Sequence, residues 1–238
     1  MLKPFVRLAT QGWLSVVVTT QLLGCASGTT PLADVLSALA TNRWDSGEAS
    51  ILAAQTNPLY RHLRIEVQGR APALLVLGYV DPHPQGDIEV WYSAKREVIK
   101  TQNGRIVGTS GLEVDWRAVR FPEAPPLWTA LQAEGRLYQR LRDEMPGHRY
   151  AIADHIELKP WLGSPPITLP ASLASAQARN DYHWFSETTL DSSAQPLPPS
   201  WFAWGLHRGQ PTVVYSEQCL SATFCLKLQR WPVQESTS

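Results

Sequence analysis

The chain has 238 residues, with 21 acidic and 21 basic side chains and a hydrophobic fraction of 44%. Its formal net charge is zero and no basic patch stands out, which argues against nucleic acid as a partner. Nineteen prolines, ten tryptophans and frequent apolar alternation argue against disorder and favour a β-rich body with many turns.

Residues 1–24 have the layout of a secretory signal peptide. Lys3 and Arg7 form a basic start, and no charged residue occurs from Leu8 to Leu23. The apolar stretch WLSVVVTTQLL is too short and too polar to span a bilayer as a helix of roughly 20 apolar residues. Cleavage after this segment would leave 19 basic and 21 acidic side chains, a formal charge of −2.

The segment ends in Leu22-Leu23-Gly24-Cys25, which resembles the lipobox of bacterial lipoproteins. In that motif the cysteine receives a diacylglyceryl group, the preceding peptide is removed and the new amino terminus is acylated, for example with palmitate. Several acyl chains, at roughly 0.8 kcal/mol per buried CH₂, make a stable membrane anchor. Ala26 follows the cysteine, and in this layout the resemblance implies export to the outer membrane. An ordinary signal peptide with a chance cysteine is the alternative.

The elements of the first half are predicted from periodicity and turn residues. A short amphipathic helix is expected over residues 30–41, TPLADVLSALAT, where apolar residues recur at helical spacing. LRIEVQG and PALLVLGYV are predicted strands, and the Pro-rich DPHPQGD is a loop. IEVWYS is the next predicted strand. Asn103-Gly104, between EVIKTQ and RIVGT, then predicts an antiparallel hairpin with a type I′ turn.

This hairpin also carries a family resemblance. WYSAKREVIKTQNGRIVGTSGL, with the upstream LRIEVQGRAPALLVLGYV, resembles the YjbF family of outer-membrane lipoproteins, also called the group 4 capsule polysaccharide lipoprotein family. The resemblance implies a mainly antiparallel β protein tethered to the inner face of the outer membrane. It also implies a role in capsule or exopolysaccharide production, and it implies no catalytic centre.

The second half is predicted to contain further strands and a short helical segment. One or two helical turns are expected before Pro146, because charges separate the apolar residues Leu127, Leu131, Tyr138 and Leu141. HRYAIADHIELKPW is a predicted strand. The Pro-rich GSPPITLPAS could mark a boundary between two lobes near residues 162–172.

These elements together predict a mainly β fold for residues 25–238. Antiparallel meander sheets are expected to form a curved sandwich or barrel-like body with a few short peripheral helices. The signal segment and the cysteines favour a periplasmic location, and the family resemblance implies that the domain faces inward from the outer membrane.

Cys219 and Cys225 form an even pair, which fits an oxidising compartment such as the periplasm. They flank a short polar segment between two strand-like runs, so we expect a disulfide across the mouth of a hairpin. Closing so small a loop would add about 2 kcal/mol of stability. A zinc site is the alternative, but no paired histidines accompany the thiols, and no metal is expected.

Signatures of catalysis are weak in this sequence. GTSG at residues 108–111 is one residue short of a G-x-S-x-G nucleophile elbow, and it follows a hairpin strand. The histidines lack the spacing of a metal site. Carboxylate pairs that could hydrolyse glycosides are Glu113 with Asp115 and Asp143 with Glu144, although adjacent acids more often form a solvated face. The sequence therefore predicts no enzyme and no cofactor.

The aromatic residues supply the one hypothesis for a binding site. Most of them are expected to fill the core. However, sugar rings present apolar C–H faces that stack on exposed indoles, and the preferred glycan contacts are Trp201 and Trp204 in the loop-like LPPSWFAWG.

The predicted function is a non-catalytic outer-membrane lipoprotein that supports capsule or exopolysaccharide production or secretion. Its partners would be outer-membrane lipid through acylated Cys25, and polysaccharide or proteins of the export machinery. The alternatives are a periplasmic carbohydrate-active enzyme, and a structural envelope lipoprotein that binds another protein.

Overall fold

The computed structural model describes residues 59–131, 134–163, 165–170, 173–174 and 182–232. The signal segment, Cys25 and the helix predicted over residues 30–41 lie outside the described residues. In the part of the chain that is described, no helix has the length and apolar character needed to cross a membrane.

The described residues form twelve β-strands. In chain order their bounds are β1 His62–Val67, β2 Ala73–Asp81, β3 Ile88–Tyr92, β4 Val98–Gln102, β5 Arg105–Ser110, β6 Asp115–Arg120, β7 Arg136–Met145, β8 Arg149–Trp161, β9 His183–Ser192, β10 Ser200–His207, β11 Gln210–Cys219 and β12 Cys225–Trp231. A 3-10 helix, Trp128–Ala130, lies between β6 and β7.

All twelve strands belong to one antiparallel sheet, in the order β5-β4-β3-β2-β1-β12-β11-β10-β9-β8-β7-β6. Two meanders are thus joined by the pairing of the first strand with the last. The edge strands β5 and β6 follow each other in the chain and lie in contact, so the sheet is nearly closed into a barrel. The prediction of a mainly β, barrel-like body is confirmed.

The predicted hairpin joins β4 to β5. Asn103 and Gly104 both have positive φ, 49° and 82°, as a type I′ turn requires. Glycine is needed at the second position for a further reason, because a Cβ on Gly104 would overlap the side chain of Val213 on β11. The turn therefore connects β4 to β5 and also allows the hairpin to pack closely against β11.

We expect Gly104→Ala to lower the free energy of unfolding by more than 1 kcal/mol, since it combines backbone strain with overpacking against Val213. Gly69→Ala is the matched control. Gly69 has a similar φ of 77°, but a Cβ there meets no atom within 4 Å, so it reports backbone strain alone. Urea unfolding measures both variants, and equal losses would contradict the role of Val213.

Strand β5 packs against a different hydrophobic cluster on each face, because successive side chains of a strand point to opposite sides. Ile106 lies in a cluster with apolar residues of β1–β4 and β12. Val107 lies in a second cluster with residues of β7–β11. The nearly closed sheet therefore encloses two cores with β5 between them. The lobe boundary near residues 162–172 stays a prediction.

The side chain of Gln218 on β11 binds the edge of β5 that faces away from β4. Its Oε1 accepts a hydrogen bond from the Ile106 amide at 2.9 Å, and its Nε2 donates to the Gly104 carbonyl at 2.9 Å. Buried backbone groups are costly when they lack partners. Gln218 therefore supplies the pairing that a neighbouring strand would otherwise provide.

The helical turns predicted before Pro146 are largely wrong. Helix is confined there to Trp128–Ala130 among the described residues, and the later part forms the ten-residue strand β7. Its buried positions alternate with less buried ones, which is the period of a strand. The pattern was hidden in the sequence because three of the four buried side chains are charged: Tyr138, Arg140, Arg142 and Glu144.

Cys219 and Cys225 form a disulfide. The two residues are directly opposite partners at the end of the β11–β12 hairpin. The predicted bridge across the mouth of this hairpin is therefore present. HRYAIADHIELKPW likewise contains the predicted strand, which is β8.

Candidate functional site

The two longest connections between strands lie at one end of the sheet. They follow β6 and β8, and they share this end with the β2–β3 connection and the start of β1, because alternate connections of an antiparallel meander fall on the same side. Loops on a rigid scaffold are the usual place for binding sites. The clefts of the described residues that could hold a ligand lie among these connections.

One of these, which we call the aromatic cleft, has a volume of about 590 Å³. Half of its lining residues are aromatic: Trp128, Trp161, Tyr182, Trp184, Phe185 and Trp204. The described lining residues include no acid, lysine or arginine. A cleft of this size and character suits an uncharged ligand with apolar faces.

The two tryptophans predicted to contact glycan occupy different environments. Trp204 is half-buried and lines the aromatic cleft. Trp201 is 9% exposed and lies edge-on against Trp161, with 4.9 Å between ring centroids. Trp161 ends strand β8 and is 39% exposed, so it presents more ring surface than Trp201 does. Sequence analysis missed Trp161, whose exposure depends on the packing of β8 against β10.

The adjacent acids Asp143 and Glu144 point to opposite faces of β7 and do not form a common site. Asp143 accepts two hydrogen bonds from Arg120, each 2.9 Å, and this guanidinium with the Ala151 amide lowers the pKa of Asp143. Glu144 is buried and binds Arg142 and Arg149. Both carboxylates are thus engaged by arginine.

The other candidate pair has structural contacts as well. Asp115 accepts hydrogen bonds from the Thr109 hydroxyl and from the amides of Gly111 and Leu112, which organises the GTSG turn. Glu113 forms an exposed ion pair with Arg70. Across the described part of the chain, no three His, Cys, Asp or Glu side chains are grouped so as to hold a metal ion.

Buried ion pairs are the main feature that sequence analysis missed. Arg105 on β5 donates from Nε to Glu187 Oε1 on β9 at 2.7 Å, and each side chain is 5% exposed. Burial disfavours the charge on Arg105, but the Glu187 carboxylate outweighs burial and raises the pKa of the guanidinium. The guanidinium also lies 4.0 Å from the ring centroid of Trp128. The pKa of the neighbouring Tyr138 hydroxyl is also raised, mainly by burial and secondly by the negative charge of Glu187.

A second buried group surrounds Asp154 on β8, which is fully inaccessible. Its carboxylate accepts hydrogen bonds from Arg140 at 2.8 and 3.0 Å, from Arg142 at 2.8 Å and from the Ser192 hydroxyl at 2.6 Å. Burial would raise the pKa of Asp154, but these donors lower it. The group joins β7, β8 and β9, so we assign it a structural role.

The nearly closed antiparallel sheet, with clefts between its longer connections, defines a barrel-like β protein. The crystal structure of the hypothetical lipoprotein YmcC from Escherichia coli K12 has a similar fold, with a TM-score of 0.55. The similarity covers 79% of this chain and 94% of that chain at 17% sequence identity, and it concerns the fold alone. A comparison with curated proteins finds no match.

Residues 48–160 match the family model described as group 4 capsule polysaccharide lipoprotein gfcB, YjbF. This match confirms the resemblance drawn from the hairpin motif, and it covers just under half of the chain. The matched region runs through β8 and includes β5, the strand between the two cores.

Proposed function

We propose that this protein is a non-catalytic lipoprotein, anchored in the outer membrane and facing the periplasm, that supports the production or secretion of a capsule or exopolysaccharide. The family match over residues 48–160 carries the proposal, because its description combines a lipoprotein with capsule polysaccharide. The lipobox-like sequence that ends at Cys25 supports the anchor.

The aromatic cleft is the proposed contact for uncharged parts of the polysaccharide. Sugar rings can stack their C–H faces on the accessible rings of Trp161 and Trp204, while the neutral lining imposes no charge on the ligand. Trp201 lies behind Trp161 and would act by holding that ring in place.

We expect Trp161→Ala and Trp204→Ala each to weaken the binding of oligosaccharide fragments about two- to tenfold. This loss of affinity corresponds to the binding free energy of one aromatic contact. Isothermal titration of the purified protein measures the change in Kd. Tyr150→Ala is the control, because Tyr150 is an exposed aromatic residue on β8 outside the cleft. No binding at millimolar oligosaccharide, or an equal loss with Tyr150→Ala, would contradict this assignment.

The experiment that tests the proposed function replaces Cys25 in the cell. Cys25→Ser should abolish labelling by a clickable fatty acid, remove the protein from the outer-membrane fraction and reduce secreted polysaccharide. The tether raises the local concentration of the domain near its partners, so its loss should impair function while the folded body survives.

A variant with Cys219→Ser and Cys225→Ser is the control for Cys25→Ser. It removes the disulfide but should keep the fatty-acid label, because neither residue belongs to the lipobox-like motif. A Cys25→Ser protein that is still acylated would place the anchor elsewhere. Unchanged polysaccharide secretion in a strain lacking the protein would overturn the proposed function.

A further inference from the structure

A second cleft lies at the seam where the sheet does not close, between β5 and β6. This seam cleft has a volume of about 490 Å³. Its lining residues come from the β2–β3 connection, β3, β4 and β5 on one side and from β6 and the residue after it on the other. Four of them are apolar side chains that continue from the second core to the surface: Ile88, Val107, Val119 and Phe121.

Three cations line the seam cleft, whereas its described lining residues include no acid. Arg120 is occupied by Asp143. Lys100 and Arg117 are exposed and form no ion pair with any described residue, although Arg117 Nη1 reaches the Ser110 hydroxyl at 3.5 Å. Two of the three positive charges are therefore uncompensated beside an apolar surface.

The side chain of Lys100 and the backbone of Arg117 both lie beside Gly108 of β5. A Cβ at Gly108 would lie 3.3 Å from Lys100 Cδ and 3.7 Å from the Arg117 carbonyl oxygen. The aliphatic stem of Lys100 thus lies over β5, beside the backbone of β6. A Cβ at Gly108 would press on the lysine, so glycine leaves room for the Lys100 stem over β5.

One wall of the seam cleft is held by hydrogen bonds from glutamine side chains. Gln102 Nε2 donates to the Gly86 carbonyl at 2.6 Å and lies 2.9 Å from His83 Nδ1. Gln85 Nε2 donates to the Phe121 carbonyl at 3.1 Å, which ties the β2–β3 connection to the end of β6. A wall fixed in this way needs little ordering when a ligand binds.

We propose that the seam cleft binds acidic sugar residues of a polysaccharide, an inference that rests on the proposed function. Carboxylate or phosphate groups of the glycan pair with Lys100 and Arg117, and the apolar faces of its rings lie on the half-buried side chains of Ile88 and Val119. Charge complementarity favours this occupant, because the exposed cations meet no acid among the described residues that line the cleft. The aromatic cleft, whose described lining residues include no lysine, arginine or acid, takes uncharged rings at the same end of the sheet.

Titration of the purified protein with oligogalacturonate tests the proposal, and the methyl ester of the same oligosaccharide is the uncharged comparison. The acid form should bind more tightly than the ester, and its affinity should fall as salt rises. Replacing Lys100→Gln together with Arg117→Gln should weaken binding of the acid roughly five- to tenfold and reduce the salt dependence. Binding of the ester should not change.

The matched control is Lys95→Gln with Arg96→Gln. This pair removes the same charge from the β3–β4 turn at the opposite end of the sheet, so it should leave binding of oligogalacturonate unchanged. An equal loss in this control would overturn the proposal, since it would indicate nonspecific attraction. Equal affinity for the acid and the ester would overturn it as well.

A vesicle-binding experiment distinguishes a glycan ligand from a membrane surface. Vesicles containing phosphatidylglycerol that bind through Lys100 and Arg117, with no binding of oligogalacturonate, would identify a lipid surface and overturn the proposal. If deletion of the protein reduces polysaccharide secretion but oligogalacturonate does not bind, the proposal that the seam cleft binds acidic sugars is wrong, while the proposed function stands. Binding at the seam cleft with unchanged secretion would refute the proposed function instead.

Discussion

Glu187→Leu should lower the free energy of unfolding by about 3–5 kcal/mol, because it leaves the charge of Arg105 buried without its carboxylate. Both side chains are 5% exposed, so water cannot replace the lost partner. The aromatic ring of Trp128 beside the guanidinium offsets only a small part of this loss. Urea unfolding followed by circular dichroism measures the change.

A double variant separates the buried charge from the packing of Glu187. Arg105→Met with Glu187→Leu removes both charges and keeps two side chains of similar volume, so most of the stability should return. A double variant no more stable than Glu187→Leu would contradict this account and would show that the ion pair itself contributes the stability.

Asp154→Asn should also cost about 3–5 kcal/mol, since it withdraws the carboxylate that Arg140 and Arg142 share in a fully buried position. Asp143→Asn is the matched control. Asp143 also binds an arginine with two hydrogen bonds, but Arg120 is 53% exposed, so this substitution should cost about 1 kcal/mol or less. Equal losses in the two variants would contradict the importance of burial.

The buried carboxylate of Asp154 predicts that the stability of the protein depends on pH. Burial acts to raise the pKa of Asp154, but its arginine and serine partners lower it below that of an aspartate in the unfolded chain. Its contribution is therefore complete above the ordinary aspartate pKa of about 4 and is lost as the pH falls through the folded value. The wild type should lose more stability than Asp154→Asn below about pH 4, and urea midpoints that fall in parallel would contradict this assignment.

Structural features formed by residues close together in the sequence were predictable from the sequence alone. Asn103-Gly104 has the positive φ values of the turn type that these two residues predict. Strands such as β3 and β8 show the expected apolar content, and Cys219 and Cys225 were close because a short hairpin joins them. Strand β7 was missed because its buried face carries arginines and a glutamate, which no apolar pattern reveals.

The exposure of the tryptophans was not predictable in the same way. Trp201 and Trp204 lie three residues apart in one strand, and a register shift between Ala203 and Trp204 interrupts the alternation there. Trp161 becomes a partner of Trp201 only because β8, β9 and β10 are neighbours in the sheet. Which ring faces a cleft depends on those contacts.

By itself, the sequence determined many of the strand segments, the hairpin turn, the family resemblance and the disulfide, because each rests on residue types at short separations. Only the tertiary structure decided the partners of the buried charges and the two clefts. Arg105 and Glu187 are 82 residues apart, and the seam cleft combines side chains from β3 to β6. The physical reason is that burial and charge compensation depend on which distant strands the nearly closed sheet brings together.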